Sequence, residues 1–568
     1  MKRLCLFLIS ILSVSIAKSQ NPLKYLDINQ VKAGVYNRGD MHWNINTGNA
    51  AYEVPVGSGS HADFATGLWL GGLDVGNQLH VAAQTYRQTQ SGGVDFWPGP
   101  LDTTNGAVSA TTSNQYDKIW KLNQSDIDAF ILNFSNGNVQ NGSYIPVADL
   151  LSWPAVGTGS QTKNMAPFVD VNHNHIYDPL VGGDYPIIKG DQSLYFIFND
   201  NMVHGSGGMP LKVEIHATAY AYGNSAIASQ YPFLSKATFY NYKIINRSNL
   251  NYHDVYATLW TDVDVGYYGD DYIGCDVAGN YGYAYNADSY DETNAGTAGY
   301  GSVTPAAGYQ VLKGPFMPND GIDNNNDGTI DETCEQQLLS RFTYFNNSFA
   351  GVPLQTTDPQ GAAQYYQYMT GKWRDNTPFT CGGNGYGGST PTPFMYPGTT
   401  YTNGACGSAN WSETGTAGDR RYMMSVGPFN FNSQTVQEIE FVHCTSFDYT
   451  AANNPRAKLK TDMQLLRNFS NIFDPPNCLL NSIKELDNPQ TFVVYPNPAL
   501  SEIKISLNKT PNSIVRISIL NILGKELLSN ENVGVNDVVV NVSDLAQGVY
   551  FVKVESDGKY SVEKFIKE

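Results

Sequence analysis

Apolar and polar residues alternate along much of this chain, the period-two pattern of strands with one buried face. From Gln20 to about Ile188 the runs are short, as in TGLWLGG (66–72) and LHVAAQTY (79–86), with Gly, Asn and Asp turns between them. From about Asp191 to Ser446 they lengthen into SLYFIFND, LKVEIHATAYAY, KATFYNYKIINRS, HDVYATLWTDVDV, RRYMMSVGPF and VQEIEFVHCTS. Their Val, Ile, Thr, Tyr and Phe content predicts a mainly β protein of antiparallel sandwiches, in two domains over 20–188 and 189–480. Three stretches follow helical spacing instead. S-D-I-D at 125–128 offers an N-cap and an acid three residues on, so a helix is expected from Ser125; PVADLLSW, opening on Pro146, predicts a second. Leu459, Met463, Leu466, Phe469 and Phe473 lay an apolar stripe between Pro455 and Asp474, a helix for the sandwich edge that Pro475 and Pro476 end.

A linker is expected over 481–490. Beyond it, 491–568 alternates in seven short runs: TFVVYP, EIKISL, IVRISILN, GKELLS, DVVVNVS, GVYFVKVES and YSVEKFIK. Turns at Asn497-Pro498, Leu523-Gly524, Gln547-Gly548 and Asp557-Gly558 separate them, which suits one small immunoglobulin-like sandwich.

The series VYPNPA (494–499), VRISILNILGKEL (515–527), DLAQGVYFVKV (544–554) and KFIK (564–567) resembles the C-terminal sorting domain of type A substrates of the type IX secretion system. Its motif positions here are Tyr495, Pro496, Asn497, Pro498, Gly524, Gly548, Tyr550, Lys564 and Lys567. The resemblance implies recognition by the type IX machinery, passage across an outer membrane, and removal of the tail by a sortase-like peptidase. The cargo would then be joined to an anionic lipopolysaccharide or released. LWLGGLDVGNQLHVAAQTYR, GDYPIIKGDQ and TDVDVGYYGDDYIGCD in the larger region resemble uncharacterised secreted proteins that carry this tail, a likeness that implies no activity.

The N-terminus agrees with export. Met1, Lys2 and Arg3 precede an apolar run from Leu4 to Ala17 and a small-residue exit, so 1–19 reads as a signal peptide. That run falls short of the roughly 20 residues a membrane-crossing helix needs, and no later segment reaches them, so no transmembrane anchor is expected. Cys5 lies early in the run, leaving six cysteines for an exported chain in which disulfides are expected. Many pairings are open; Cys381 and Cys406 bracket a Gly/Thr/Pro-rich loop and form the favoured pair.

Charge narrows the partners. The 568 residues carry 34 Lys and Arg against 52 Asp and Glu, a net −18 that argues against nucleic acid and anionic membranes and for cations. The tail is nearly balanced, so the acidity belongs to the larger region. DGIDNNNDGTIDETCE has calcium-loop spacing: Asp323, Asn325 and Asp327, the Thr329 carbonyl and Asp331, with Cys334 where a bidentate acid is usual, so that Glu332 or Glu335 substitutes or a bridge through Cys334 holds the loop instead. It resembles dockerin and thrombospondin type 3 loops. DVNHNHIYD repeats the spacing with Asp170, Asn172, Asn174 and Asp178, but His175 takes the glycine position, where φ > 0 is preferred. In TDVDVGYYGDDYIGCD, Asp262, Asp264, Asp270, Asp271 and Asp276 crowd one neighbourhood; alternation puts the first two on one strand face, and a shared cation suits them. Calcium is therefore the expected cofactor. His173 and His175 alone make a weak transition-metal site, and HGSGG (204–208) lacks the nucleophile-elbow pattern. Trp69, Trp97, Trp260 and Trp373 suit a sugar face or, more simply, a core.

These features predict an exported, calcium-stabilised binding or adhesion protein for an extracellular polysaccharide or protein. The alternative is a secreted hydrolase with unlocated carboxylates. Converging carboxylates with displaced pKa values in a cleft would favour hydrolysis, and a flat aromatic or loop-built face would favour binding.

Overall fold

The structure, a computed structural model, describes residues 22–86, 94–317 apart from 224 and 295, 321–325, 330, 335–348, and 351–475 apart from 403, 405, 408 and 409. In the tail it describes 492–507, 514–521, 526–533, 537–546, 548–556 and 559–567. The expected signal peptide and linker lie outside these residues. The chain divides into two compact units, residues 1–467 with 476–482, and 468–475 with 483–568.

The expected strands form, and among the described residues they assemble into two antiparallel sheets of nine strands each, counting the side strands Tyr52–Glu53 and Leu79–Ala83 in the first and Trp97–Pro98 in the second. One runs Leu23–Leu26, Lys32–Tyr36, Asp40–Met41, Ala65–Asp74, Tyr252–Val263, Arg420–Phe431, Leu339–Asn346. The other runs Trp120–Asn123, Gln192–Asn199, Val213–Ala221, Ala237–Asn246, Val436–Ser446, Ala306–Lys313, Tyr281–Asn286, Asp271–Asp276. One continuous core holds residues of both sheets. Trp69 and Trp260, stacked 6.1 Å apart, lie in it, and Trp373 is buried against Phe379 at 3.9 Å. These three indoles are therefore core groups, each contributing the ~2–3 kcal/mol expected of a large buried side chain.

The boundary expected at 188 falls inside this unit. Ala65–Asp74 pairs residue by residue with Tyr252–Val263, and Trp120–Asn123 with Gln192–Asn199. Alternation marks where strands are, but register decides which strands are neighbours, and the long central strands take the short N-terminal ones as partners.

Polar groups are buried too, Asp63 between the sheets and Glu214 on the opposite face of its strand from that core. The Asp63 carboxylate accepts from Tyr309 and Thr66 hydroxyls at 2.7 Å each and sits 2.9 Å from His42 Nδ1. Burial pushes this carboxyl up, but His42 and the other donors outweigh it and hold it below the usual range. Glu214, fully buried, receives Arg247 at 2.9 Å, the Leu101 N–H at 2.7 Å and His216 Nε2 at 2.8 Å.

Helices match less closely. The first spans Gln124–Ser135 with Asn123 as its N-cap residue, and Asp126 accepts the Asn123 N–H at 3.0 Å. The capping role expected of Ser125 and Asp128 thus falls two residues earlier, where the chain leaves the strand Trp120–Asn123. The second is one turn, Ala148–Leu151. The third spans Pro455–Phe473 and buries Leu459, Met463, Leu466 and Phe469.

In the second unit, Phe492–Tyr495, Glu502–Leu507 and Asp537–Asn541 form one sheet; Glu526–Val533, Ile514–Asn521, Gly548–Ser556 and Lys559–Lys567 form the other. Ile503, Ile505, Ile517, Ile519, Val552 and Phe565 fill the core between them. All seven expected strands are present.

Candidate functional site

The ends of three neighbouring strands build a cavity of about 350 Å³. Asp262 stands near the end of Tyr252–Val263, Asp264 two residues on, and Arg421 near the start of Arg420–Phe431. Pairing sets Asp262 opposite Arg421 on one side and Ala65 on the other. Asp419 precedes the Arg421 strand, and Trp43, Phe64, Tyr86 and Tyr268 supply aromatic walls. Edge-to-face contacts with Trp43 at 5.5 Å and Trp260 at 5.1 Å fix the Tyr86 ring.

One oxygen from each of Asp262, Asp264 and Asp419 lies within 4.8 Å of the other two. Arg421 bridges the outer pair, with Nε 2.9 Å from Asp262 and a second nitrogen 2.5 Å from Asp419. The Tyr86 hydroxyl donates to Asp262 at 2.5 Å. Asp264 has neither aid: it is 9 % exposed, and its Oδ1 is buried without a hydrogen-bond partner among the described residues. The indole N–H of Trp43 is likewise buried and unpartnered among the described residues. Burial raises the Asp262 carboxyl to about 7 despite Arg421, and burial together with Asp262 pushes Asp264 far above the usual carboxylate range.

Of the five carboxylates expected together, the structure brings Asp262 and Asp264 into this cavity. Asp271, also raised by burial, gives one oxygen to the Val265 N–H at 2.9 Å. Asp270 accepts from Asn286 at 2.8 Å, and Asp276, at the far end of its strand, pairs with Lys460 at 3.0 Å. The sequence reading missed Asp419, Arg421, Trp43, Phe64 and Tyr86, because only the fold brings those distant positions together, and it passed over Tyr268, four residues beyond Asp264.

The loop DVNHNHIYD converges. The Asn174 N–H donates to Asp170 at 3.2 Å, and the Asn174 amide to Asp178 at 3.0 Å. His175 adopts φ 61, so the left-handed turn expected of a glycine forms with histidine in its place. Asp184, unforeseen, accepts the Val171 and Asp178 N–H groups at 2.8 and 2.9 Å. In the other loop Asp323 and Asn325 are described, whereas Asp327, Thr329, Asp331 and Glu332 lie outside the described residues. Cys381 and Cys406 form the expected disulfide, with Cα atoms 5.5 Å apart. In HGSGG, Ser206 is buried and bonds the Asp95 carboxylate, and both nitrogens of His204 face backbone carbonyls at 2.6 Å.

In the tail, Asn497 fastens VYPNPA to the last strand: its amide donates to the Lys564 carbonyl at 3.0 Å and its oxygen accepts the Ile566 N–H at 2.8 Å. The Ala499 N–H adds a bond to the Ile566 carbonyl at 2.7 Å. Tyr495 is partly exposed, with Lys504 5.5 Å above its ring. Pro496 and Pro498, which carry no N–H, flank Asn497, so its side chain and the Ala499 N–H make the links to that strand. Tyr550 is buried, donates to the Ala546 carbonyl at 2.9 Å and stacks on Phe565. Gly548 opens its strand at φ 157, Lys564 is exposed and Lys567 buried; Gly524 lies outside the described residues. Residues 493–568 match the secretion system C-terminal sorting domain. A sorting domain of this type marks the chain for the type IX machinery and for export across the outer membrane, to the cell surface or the extracellular space. Among the described residues no helix is long and apolar enough to cross a membrane. No curated protein matches the chain.

Proposed function

We propose that the exported protein binds an extracellular polysaccharide at the aromatic-walled carboxylate cavity and does not hydrolyse it, with calcium bracing the acidic loops of the larger unit. The cavity carries this reading. Flat rings at Trp43, Phe64, Tyr86 and Tyr268 suit the apolar faces of sugar rings, and Asp419 and Arg421 offer an acceptor and a donor for hydroxyls. The carboxylates also meet one condition for a hydrolase, since they converge and are displaced. An acid–base pair, however, needs environments that push two groups apart, and Asp262 and Asp264 are both pushed upward by burial. That common direction fits a shared counter-charge better than a proton donor with its base.

The test is retention of the full mature chain on immobilised polysaccharides and proteins, with soluble products assayed in parallel. Retention on a polysaccharide without products is expected, weakened severalfold by Tyr268→Ala. Products above a heat-inactivated control would replace this reading with the hydrolase. Retention on proteins alone would overturn the ligand class.

A further inference from the structure

We propose that Asp264, with Asp262 and Asp419, holds a calcium-type divalent cation in this cavity, and that the cation's open positions take oxygens of the bound ligand. The second clause rests on the binding reading above; the first stands without it.

Three observations meet at one place. An oxygen from each of the three carboxylates lies within 4.8 Å of the others, close enough for one ion at the 2.3–2.6 Å typical of calcium ligation. Asp264 is buried, lines the cavity, and has an Oδ1 with no hydrogen-bond partner among the described residues. A buried carboxylate without a donor costs several kcal/mol unless a proton or a cation answers it. Charge points the same way: Arg421 is the cavity's cation, and it is engaged with Asp262 and Asp419 rather than Asp264. Against three carboxylates it leaves two negative charges, which a divalent ion cancels.

Calcium fits better than magnesium. Magnesium demands near-ideal octahedral geometry, whereas calcium accepts six to eight oxygens in flexible arrangements. Three carboxylates from two neighbouring strand ends, two of them tied to an arginine, form an irregular and incomplete set. Water or ligand hydroxyls would complete it from the cavity side, where Trp43 and Tyr268 stand.

Those aromatic rings also provide a readout. Terbium occupies calcium sites and luminesces when a nearby indole or phenol is excited, so the full mature chain titrated with terbium should give emission sensitised through Trp43 and its neighbours. Asp264→Asn should remove most of that component and lower calcium stoichiometry, by calorimetry, by one site. Asp178→Asn, in the separate loop, should leave it in place. Asp264→Asn preserves side-chain shape and removes a buried carboxyl that, without a cation, must take up a proton to avoid an unpaired charge, so its melting temperature in chelator should equal or exceed that of the parent. Should it fail to fold, the half-buried Asp419→Asn serves, with at least a tenfold loss of affinity expected. Unchanged stoichiometry and emission in the folded variant would overturn the cation site. Calcium binding there without polysaccharide retention would overturn the binding reading alone, and retention indifferent to chelator and to Asp264→Asn would overturn the cation's part in ligand capture.

Discussion

Alternation along HDVYATLWTDVDV places Asp262 and Asp264 on one face, and the structure puts them in one cavity. Arg421 stands 159 positions away and arrives opposite Asp262 through strand register, a relation no local pattern encodes. Buried polar groups were equally hidden: Glu214 alternates within its strand as a solvent-facing residue would, yet it is fully buried. Burial would raise its carboxyl, but the contacts with His216 and Arg247 prevail and hold it at about 2 against its ordinary 4.5. Burial keeps His216 below its usual value, so Nε2–H donates to Glu214 while the Tyr195 hydroxyl donates to Nδ1, and Arg247 carries the compensating charge. The folded state therefore binds this proton less readily than the unfolded chain. The stabilisation is complete above the ordinary value, fades as pH falls from about 4.5 towards 2, and is worth on the order of a few kcal/mol. Urea denaturation of the parent and Glu214→Gln should show a stability gap at pH 6 that narrows below about pH 4.5 and closes towards pH 2. Arg247→Ala at neutral pH should cost ~3–5 kcal/mol, because it leaves a buried carboxylate without its cation.

Strands were the readable elements. Every run named in the tail became one, since each carries its own alternation and a turn at its end. The helix Ala362–Thr370 escaped notice because AAQYYQYMT is rich in tyrosine, a strand former; its Gly361 and Gly371 flanks, the latter at φ 88, were the available signal. The strands Tyr281–Asn286 and Ala306–Lys313 also went unread, their alternation blurred by small residues. The 381–406 bridge was legible because its loop so plainly needs closure. Closing 25 residues limits the unfolded ensemble by about 3 kcal/mol, so the double variant Cys381→Ser, Cys406→Ser should lose up to that amount in chemical denaturation. An equal midpoint and slope for variant and parent would show that the loop gains nothing from the bond.

At the level of the whole chain, the address was readable and the cargo's chemistry was not, because sorting motifs are contiguous whereas the cavity is assembled from five separated stretches. Deleting 491–568 should leave the remainder in the periplasm, a result checked by fractionation and surface labelling; normal display of the shortened chain would contradict the role of the tail. Calcium in hundredfold excess over its dissociation constant should add ~2.7 kcal/mol per site, seen as a melting temperature higher in millimolar calcium than in chelator. Equal melting temperatures would remove calcium from the description. The interleaving of both large sheets bears on the journey as well as the destination. Ala65–Asp74 has the short strand Leu79–Ala83 as a local partner, but its long partner is Tyr252–Val263, which pairs in turn with Arg420–Phe431. A chain threaded outward from its N-terminus must therefore wait for almost all of its cargo sequence before any layer can close. Throughout that interval long apolar strands present unpaired edges, which predicts a need for holding chaperones and faster proteolysis, in a pulse-chase, of products truncated before Ser446 than of the full chain.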